Sequence, residues 1–294
     1  MAEQSRPKEN WASLLKRHAP LQLPAAHDAL TAKLVQRAGF HAYQIGGFAL
    51  VGARHGLPDV DLNRFAEQSA GVRDIVAACD LPVLVDADDG YGDAKNVTHT
   101  IASYEAMGVS AVFIEDQLSP KRCGHMSGKE VVSATIMVER VEAAVAARRS
   151  SDLFIVARTD ALAVEGLDAA LKRGEQYLKA GADGIYVEAP VSVEQLERIG
   201  SAFRGTPQMT NMFEGDNQTP WLTPMELSSL GFSMILYPTS LLFRAIRAIE
   251  RGLADLRQGK RMDQTDGIDL AAYEAIVDVP YWSSIEKRFG ARQS

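Results

Sequence analysis

The feature that most constrains this chain is a repeated alternation. A short apolar run ends at a small, acidic or amide residue, and a helical pattern follows it. The runs are 20–24 (PLQLP), 42–46 (AYQIG), 83–87 (VLVDA), 111–115 (AVFIE), 153–158 (LFIVAR), 184–188 (GIYVE), 207–211 (PQMTN) and 233–237 (SMILY). Such short continuous stretches predict strands buried on both faces, as in a parallel sheet. Amphipathic patterns at 27–38, 64–79, 94–107, 134–148, 167–180, 192–203, 223–230 and 239–257 predict helices between and after them. Gly39, Gly108 and Gly181 follow the last turns of three of these, where helices stop. Eight strand–helix alternations predict an α/β fold of the (β/α)₈ TIM-barrel type.

Two regions exceed the minimal barrel. Residues 117–133 (QLSPKRCGHMSGKEVVS) form a long polar insertion after the fourth run, which reads as a mobile lid. Residues 268–290 form a helical tail whose apolar side, with Tyr273, Ile276, Tyr281, Trp282 and Ile285, needs a partner. That partner is either its own barrel or another subunit. No low-complexity linker interrupts the chain, so residues 1–294 read as a single domain.

Composition removes several functional classes. A hydrophobic content of 46% in 294 residues is enough for a large core and excludes a disordered chain. A net charge of −7 gives no cationic footprint for nucleic acid. Neither a signal-peptide pattern at the N-terminus nor an apolar run of membrane-spanning length is found. Two cysteines, Cys79 and Cys123, cannot build a disulfide framework. These features predict a cytoplasmic protein with neither nucleic-acid nor membrane partners.

In a barrel of this kind, catalysis belongs to the C-terminal ends of the strands. There the sequence places Gly46-Gly47, Asp86 with Asp88, Glu115-Asp116, Arg158 with Asp160, Glu188, Asn211 and Tyr237. Asp86, Asp88 and Glu115 could surround one hard divalent ion, since Mg²⁺ takes one or two carboxylates plus waters and substrate oxygens. Any one of them alone could equally cap a helix or solvate a loop tip, a reading that fits the three together less well. The segment DADDGYGD is no calcium loop, because Tyr91 and Val97 stand where that loop needs Gly and Glu. Cys79 reads as a core thiol. Cys123, within Lys121-Arg122-Cys123-Gly124-His125, reads as an acid–base or nucleophilic thiol whose pKa the adjacent cations lower. A zinc pair with His125 and an ordinary loop cysteine are the other readings of it.

The segments I-E-D-Q (114–117), K-R-C-G-H (121–125), D-A-D-D-G-Y-G (86–92) and A-R-T-D (157–160) together resemble the isocitrate lyase/phosphoenolpyruvate mutase superfamily. HDALTAKLVQRAGF, GLPDVDL, AGADGIYVEA and NMFEGDNQTPWLTPMEL extend the resemblance over nearly the whole chain. It is closest to the short members, the 2-methylisocitrate lyase-like and carboxyphosphonoenolpyruvate mutase-like proteins. The resemblance implies a barrel with a swapped C-terminal helix, a homotetramer, and dependence on Mg²⁺, with Mn²⁺ as a substitute. Asp86 would then hold the metal, with Asp88 and Glu115 around it and Asp59 nearby. Gly46, Gly47, Gly124, Arg158, Glu188, Asn211, Glu214 and Thr219 would meet the substrate or the closed lid. Lys121, Cys123, His125 and Arg158 would carry the catalysis.

The implied reaction is cleavage of a 2-hydroxy di- or tricarboxylate, of the 2-methylisocitrate or 2-alkylmalate kind, to an α-keto acid and a carboxylate. Cys123 would protonate the departing enediolate. Phosphonate P–C chemistry, oxaloacetate hydrolysis and a non-catalytic metabolite-binding barrel are the alternatives. Two positions depart from the pattern of relatives. Ile45 replaces a frequent Ser before the Gly pair, and Arg244 stands one residue beyond the position of a substrate-binding Arg.

Overall fold

Each predicted run forms a strand in the computed structural model, which describes residues 9–214 and 219–290. The strands are Leu21–Pro24 (β1), Tyr43–Ile45 (β2), Val83–Asp86 (β3), Ala111–Glu115 (β4), Phe154–Thr159 (β5), Gly184–Val187 (β6), Gln208–Asn211 (β7) and Met234–Tyr237 (β8). The helices, in chain order, are Trp11–His18 (α1), Ala29–Arg37 (α2), Gly47–His55 (α3), Phe65–Ala77 (α4), Ala94–Ala106 (α5), Ala134–Ala147 (α6) and Ala161–Glu165 (α7). They continue with Leu167–Lys179 (α8), Val193–Ala202 (α9), Pro224–Leu230 (α10), Ser240–Arg257 (α11), Leu270–Ile276 (α12) and Val279–Phe289 (α13). Residues 1–8 and residues 215–218 of NMFEGDNQTP lie outside the described residues.

Every strand pair is parallel, and β1 pairs with β8, so the sheet curls into a barrel. A parallel bridge between Ala25 and Gln44 brings β1 to β2, with Ala26 N–H donating to the Gln44 carbonyl at 2.9 Å. The chain divides into two compact units that part between Leu241 and Leu242.

Strand periodicity explains the two layers of core. Leu84, Ala111, Phe113, Phe154, Val156, Tyr186, Met209 and Met234 point inward and fill the barrel. Their neighbours Val83, Val85, Val112, Ile114, Ile155 and Ile235 point outward into a cluster shared with the helices.

Three helices were not expected from the sequence. In α1, Asn10 caps the first turn by accepting from Ser13 N–H, and Trp11, Leu14 and Leu15 join the inner core. Helix α3 starts at a glycine pair and contains Gly52, a poor helix signature that tertiary packing of Ala49, Leu50 and Val51 overrides. Helix α7 is a single short turn after β5. The segment 117–133 is also more ordered than a plain loop. Its base is a two-stranded clip, with Gln117 bridged to Val131 and Leu118 N–H donating to the Glu130 carbonyl at 2.9 Å.

Candidate active site

The same inward phase that fills the barrel carries its last positions into a pocket at the strand ends. After Leu84 comes Asp86; after Phe113, Glu115; after Val156, Arg158; after Tyr186, Glu188; after Met209, Asn211. All five line one pocket with Gly46, Gly47, Asp59, Lys121, Cys123, Gly124 and His125. Strand register sets Glu115 directly beside Arg158, whose guanidinium lies 3.3 Å from the Glu115 carboxylate and 3.8 Å from that of Glu188. Aromatic rings of Tyr186 and Phe113 flank it, 5.4 and 5.9 Å from ring centroid to the guanidinium carbon.

Gly46 precedes α3, so the helix N-terminus faces the pocket, and Gly47 N–H donates to Asp86 Oδ2 at 3.2 Å. That polarity favours an anion. A Cβ on Gly47 would stand 3.3 Å from the same oxygen, which leaves little room for any side chain there.

Burial dominates the electrostatics. It raises the pKa of Asp86 and Glu115, and takes Asp88 up to about 7, against the opposing pull of Lys121 and Arg158. Asp88 adopts a left-handed backbone at φ 47°, a conformation that costs energy for a residue with a Cβ. It stands behind the pocket wall. Lys121 Nζ sits between Asp59 and Asp88, at 2.5 and 2.6 Å, so the lid lysine is clamped by two carboxylates.

Cys123 occupies the lid segment that covers these strand ends, and its N–H donates to the Asp59 carbonyl at 3.1 Å. The expectation of a lowered pKa is corrected here. Burial pushes the thiol up to about 11, outweighing Arg158 and the His125 N–H. Cys123 therefore holds its proton at neutral pH. His125 docks on β7: its Nε2 is 3.0 Å from Asn211 Nδ2 and 3.2 Å from Glu188 Oε1, and its ring lies against Phe213. Gly124 is dictated by contact, since a Cβ there would fall 2.4 Å from Arg158 Nη2 and 2.5 Å from Glu188 Oε1.

Glu214 and Thr219 do not line the pocket formed by the described residues. Glu214 N–H donates to Thr239 Oγ1 at 3.2 Å, and Thr219 is buried. Ile45 points outward into the helix-facing core, so its replacement of a serine leaves the pocket wall to its neighbour. That neighbour, Gln44, is buried with its Nε2 lacking a hydrogen-bond partner. The signal for Gln44 was an amide inside an apolar strand at an inward position. Sequence reasoning also passed over Lys129, a buried lid lysine, and gave no role to Asp160, which accepts from Arg158 Nε at 2.9 Å.

The donor set suits a hard divalent cation. Among the described residues, no three His, Cys, Asp or Glu side chains form a ready-made cage. Mg²⁺ does not require one, because it keeps waters and substrate oxygens in its shell. Asp86 lines the pocket, and Glu115 Oε1 is buried with no hydrogen-bond partner. Burial raises both of their pKa values, and a bound cation would favour their charged forms.

Comparison with known proteins agrees with this geometry. The family profile described as phosphoenolpyruvate phosphomutase matches residues 12–257. The chain is 42% identical to 2,3-dimethylmalate lyase of Eubacterium barkeri, over 82% of each protein. It is 40% identical to probable 2-methylisocitrate lyase 2 of Corynebacterium glutamicum, over 84% of this chain and 79% of that protein. Oxaloacetate acetylhydrolase in complex with the inhibitor 3,3-difluorooxalacetate superposes with a TM-score of 0.92 at 28% identity, covering 99% of both chains. Phosphonopyruvate hydrolase in complex with oxalate and Mg²⁺ superposes with a TM-score of 0.82 at 27% identity, over 92% of this chain and 94% of that one.

Proposed function

Because the chain belongs to the isocitrate lyase/phosphoenolpyruvate mutase superfamily, we propose that it is a Mg²⁺-dependent carbon–carbon lyase. Its substrate would be a 2-hydroxy di- or tricarboxylate, of the 2-alkylmalate or 2-methylisocitrate kind, cleaved to an α-keto acid and a carboxylate. The observation that carries this reading is Cys123, a buried thiol that keeps its proton, brought by a lid over carboxylates and an arginine.

Asp86 would hold the metal, Mg²⁺ or Mn²⁺, with Asp88 and Glu115 around it and Asp59 beyond. When bound, the metal supplies Lewis-acid stabilisation of negative charge on the substrate oxygens. Arg158 and the N-terminus of α3 at Gly46-Gly47 bind and orient the carboxylate of the keto-acid half. A carboxylate of the pocket takes the 2-hydroxyl proton, the oxygen's electron pair forms the keto C=O as the adjacent C–C bond breaks, and that bond's pair leaves on the carboxylate half as an enediolate. Cys123 Sγ donates its proton to that carbon. Lys121 and His125 hold the lid against Asp59, Asp88, Glu188 and Asn211, which shields the carbanion from water.

A panel of 2-hydroxy acids, assayed for released pyruvate, glyoxylate or other keto acid, tests the reading. We expect turnover that EDTA abolishes and Mg²⁺ restores. Turnover that survives both EDTA and Cys123→Ser overturns it. The fit to oxaloacetate acetylhydrolase supports a second reading, cleavage of oxaloacetate, which the same panel detects as oxalate. The phosphomutase profile supports a third, P–C chemistry, which ³¹P NMR of phosphonopyruvate would show.

We further propose a cytoplasmic homotetramer in which the tail 268–290 is exchanged between subunits. Neither cysteine is in a disulfide, and no described helix is long and apolar enough to cross a membrane. The exposed Ile249, Leu253, Leu256, Leu270 and Trp282 on α11 to α13 support a second copy as the covering partner.

A further inference from the structure

Lys129 lies at the far end of the lid from Lys121, yet its side chain is 3% exposed. Its ammonium donates to Asp160 Oδ1 at 2.8 Å and, by a shorter bond, to the Gly124 carbonyl. Gly124 is the residue that touches Arg158 and Glu188 too closely to carry a Cβ. Asp160, fully buried, takes two bonds from Arg158: Oδ2 from Nε at 2.9 Å and Oδ1 from Nη2 at 3.1 Å. One ammonium thus joins the lid backbone to the carboxylate that holds Arg158.

Asp160 is itself fixed from behind. Its N–H donates to Asp116 Oδ1 at 2.9 Å. The other Asp116 oxygen accepts from Thr159 Oγ1 at 2.7 Å, Tyr177 OH at 2.8 Å and Arg173 at 3.3 Å. Arg173 also donates to the Val132 carbonyl at 2.8 Å, where the lid returns to the barrel. The frame under Asp160 is buried and hydrogen-bonded without Lys129, so Lys129 is the element that can leave when the lid lifts. Burial alone would raise the pKa of Asp160, but Arg158 and Lys129 hold it down at about 2.

We propose that Lys129 is the latch of the lid, a positioning residue that clasps the Gly124 carbonyl to Asp160 and thereby sets Arg158 toward the substrate when the lid closes. This rests on the lyase reading for its catalytic consequence, though the latch itself is independent of the reaction. With Lys129 seated, Asp160 shares its charge between two cations, while Arg158 Nη2 lies 3.3 Å from Glu115 and Nε 3.8 Å from Glu188. With the lid raised, Asp160 has Arg158 alone. Substrate orientation and lid closure are therefore linked through one side chain.

The test is alkylation of the full-length protein by iodoacetamide, read at each cysteine by peptide mass spectrometry. Cys123 rides on the lid and is buried with the lid seated, so its exposure reports lid opening; Cys79, buried in the helix-facing core, reports general unfolding. In Lys129→Met, we expect labelling of Cys123 to rise by about tenfold or more while that of Cys79 is unchanged, as loss of a buried charge-assisted bond predicts. Lys129→Arg, which keeps the charge and donors, should recover most of the protection. On the panel acids, Lys129→Met should lower kcat more than it raises KM. Equal Cys123 labelling in Lys129→Met and the parent overturns the latch, as does a parallel rise at Cys79. Protected Cys123 in a parent with no turnover on any panel acid would leave the latch standing and overturn the lyase reading instead.

Discussion

The barrel helices and the tail helices share one pattern and meet opposite fates. Helix α5 buries Val97, Ile101 and Tyr104 against the sheet, and α8 buries Ala170 and Tyr177. Helices α12 and α13 bury nothing, and no residue from Phe243 to Gly290 is buried. Leu270, Leu256, Phe289 and Trp282 are all between 63 and 71% exposed. An amphipathic pattern states that a face wants cover but says nothing of what covers it. In the barrel the cover follows automatically, because each helix returns the chain to an adjacent parallel strand. After β8 no described strand remains to take that role.

Breaking the barrel side of this contrast at its top has the largest effect. Cys123→Ser should lower turnover by roughly 10²–10⁴-fold, the range for a lost general acid, with circular dichroism and oligomeric state unchanged. A smaller effect concerns the same thiol in the parent. With its pKa moved from 9.0 to about 11, the thiolate fraction at pH 8.5 is roughly hundredfold below that of an ordinary cysteine. Alkylation of Cys123 should therefore keep rising as pH climbs through about 11. A plateau near pH 9 would show that burial is relieved in solution.

The barrel's inner layer comes next. Leu84→Ala should destabilise the fold by about 2–5 kcal/mol in chemical denaturation, through lost burial and the cavity left behind. The equivalent change in the tail, Leu256→Ala, should cost far less per chain if that face is free. If it costs as much, a partner subunit is covering it. Leu253→Glu together with Trp282→Glu should shift the protein to smaller species in light scattering, with the barrel's unfolding little altered. The smallest effect is expected outside both regions. Arg198→Ala breaks an exposed pair with Asp168 and should change stability by less than about 0.5 kcal/mol.

Much of the site is legible in the sequence, for a physical reason. A strand buried on both faces alternates between two apolar environments, so a charged residue at its C-terminal end is conspicuous. Asp86, Glu115, Arg158 and Glu188 are visible in that way, and Cys123 stands out among the cations Lys121, Arg122 and His125 in a polar insertion. Gln44 was hidden because Ile45 drew attention to the wrong phase of β2. Lys129 was hidden because an isolated lysine in a polar loop looks solvated until its carboxylate partner is known.

What the sequence determined by itself was local and periodic. Eight strand signals, the eight helices between and after them, the helical tail and the acidic strand ends are written in spacing, which backbone geometry converts directly into faces. What only the tertiary structure decided was pairing and solvation. Burial turned Cys123 from an expected thiolate into a proton carrier, placed Lys121 between Asp59 and Asp88, and joined Lys129 to Asp160 across 31 positions of chain. Those outcomes depend on the loss of water around charges brought together from distant segments, and no local pattern encodes that.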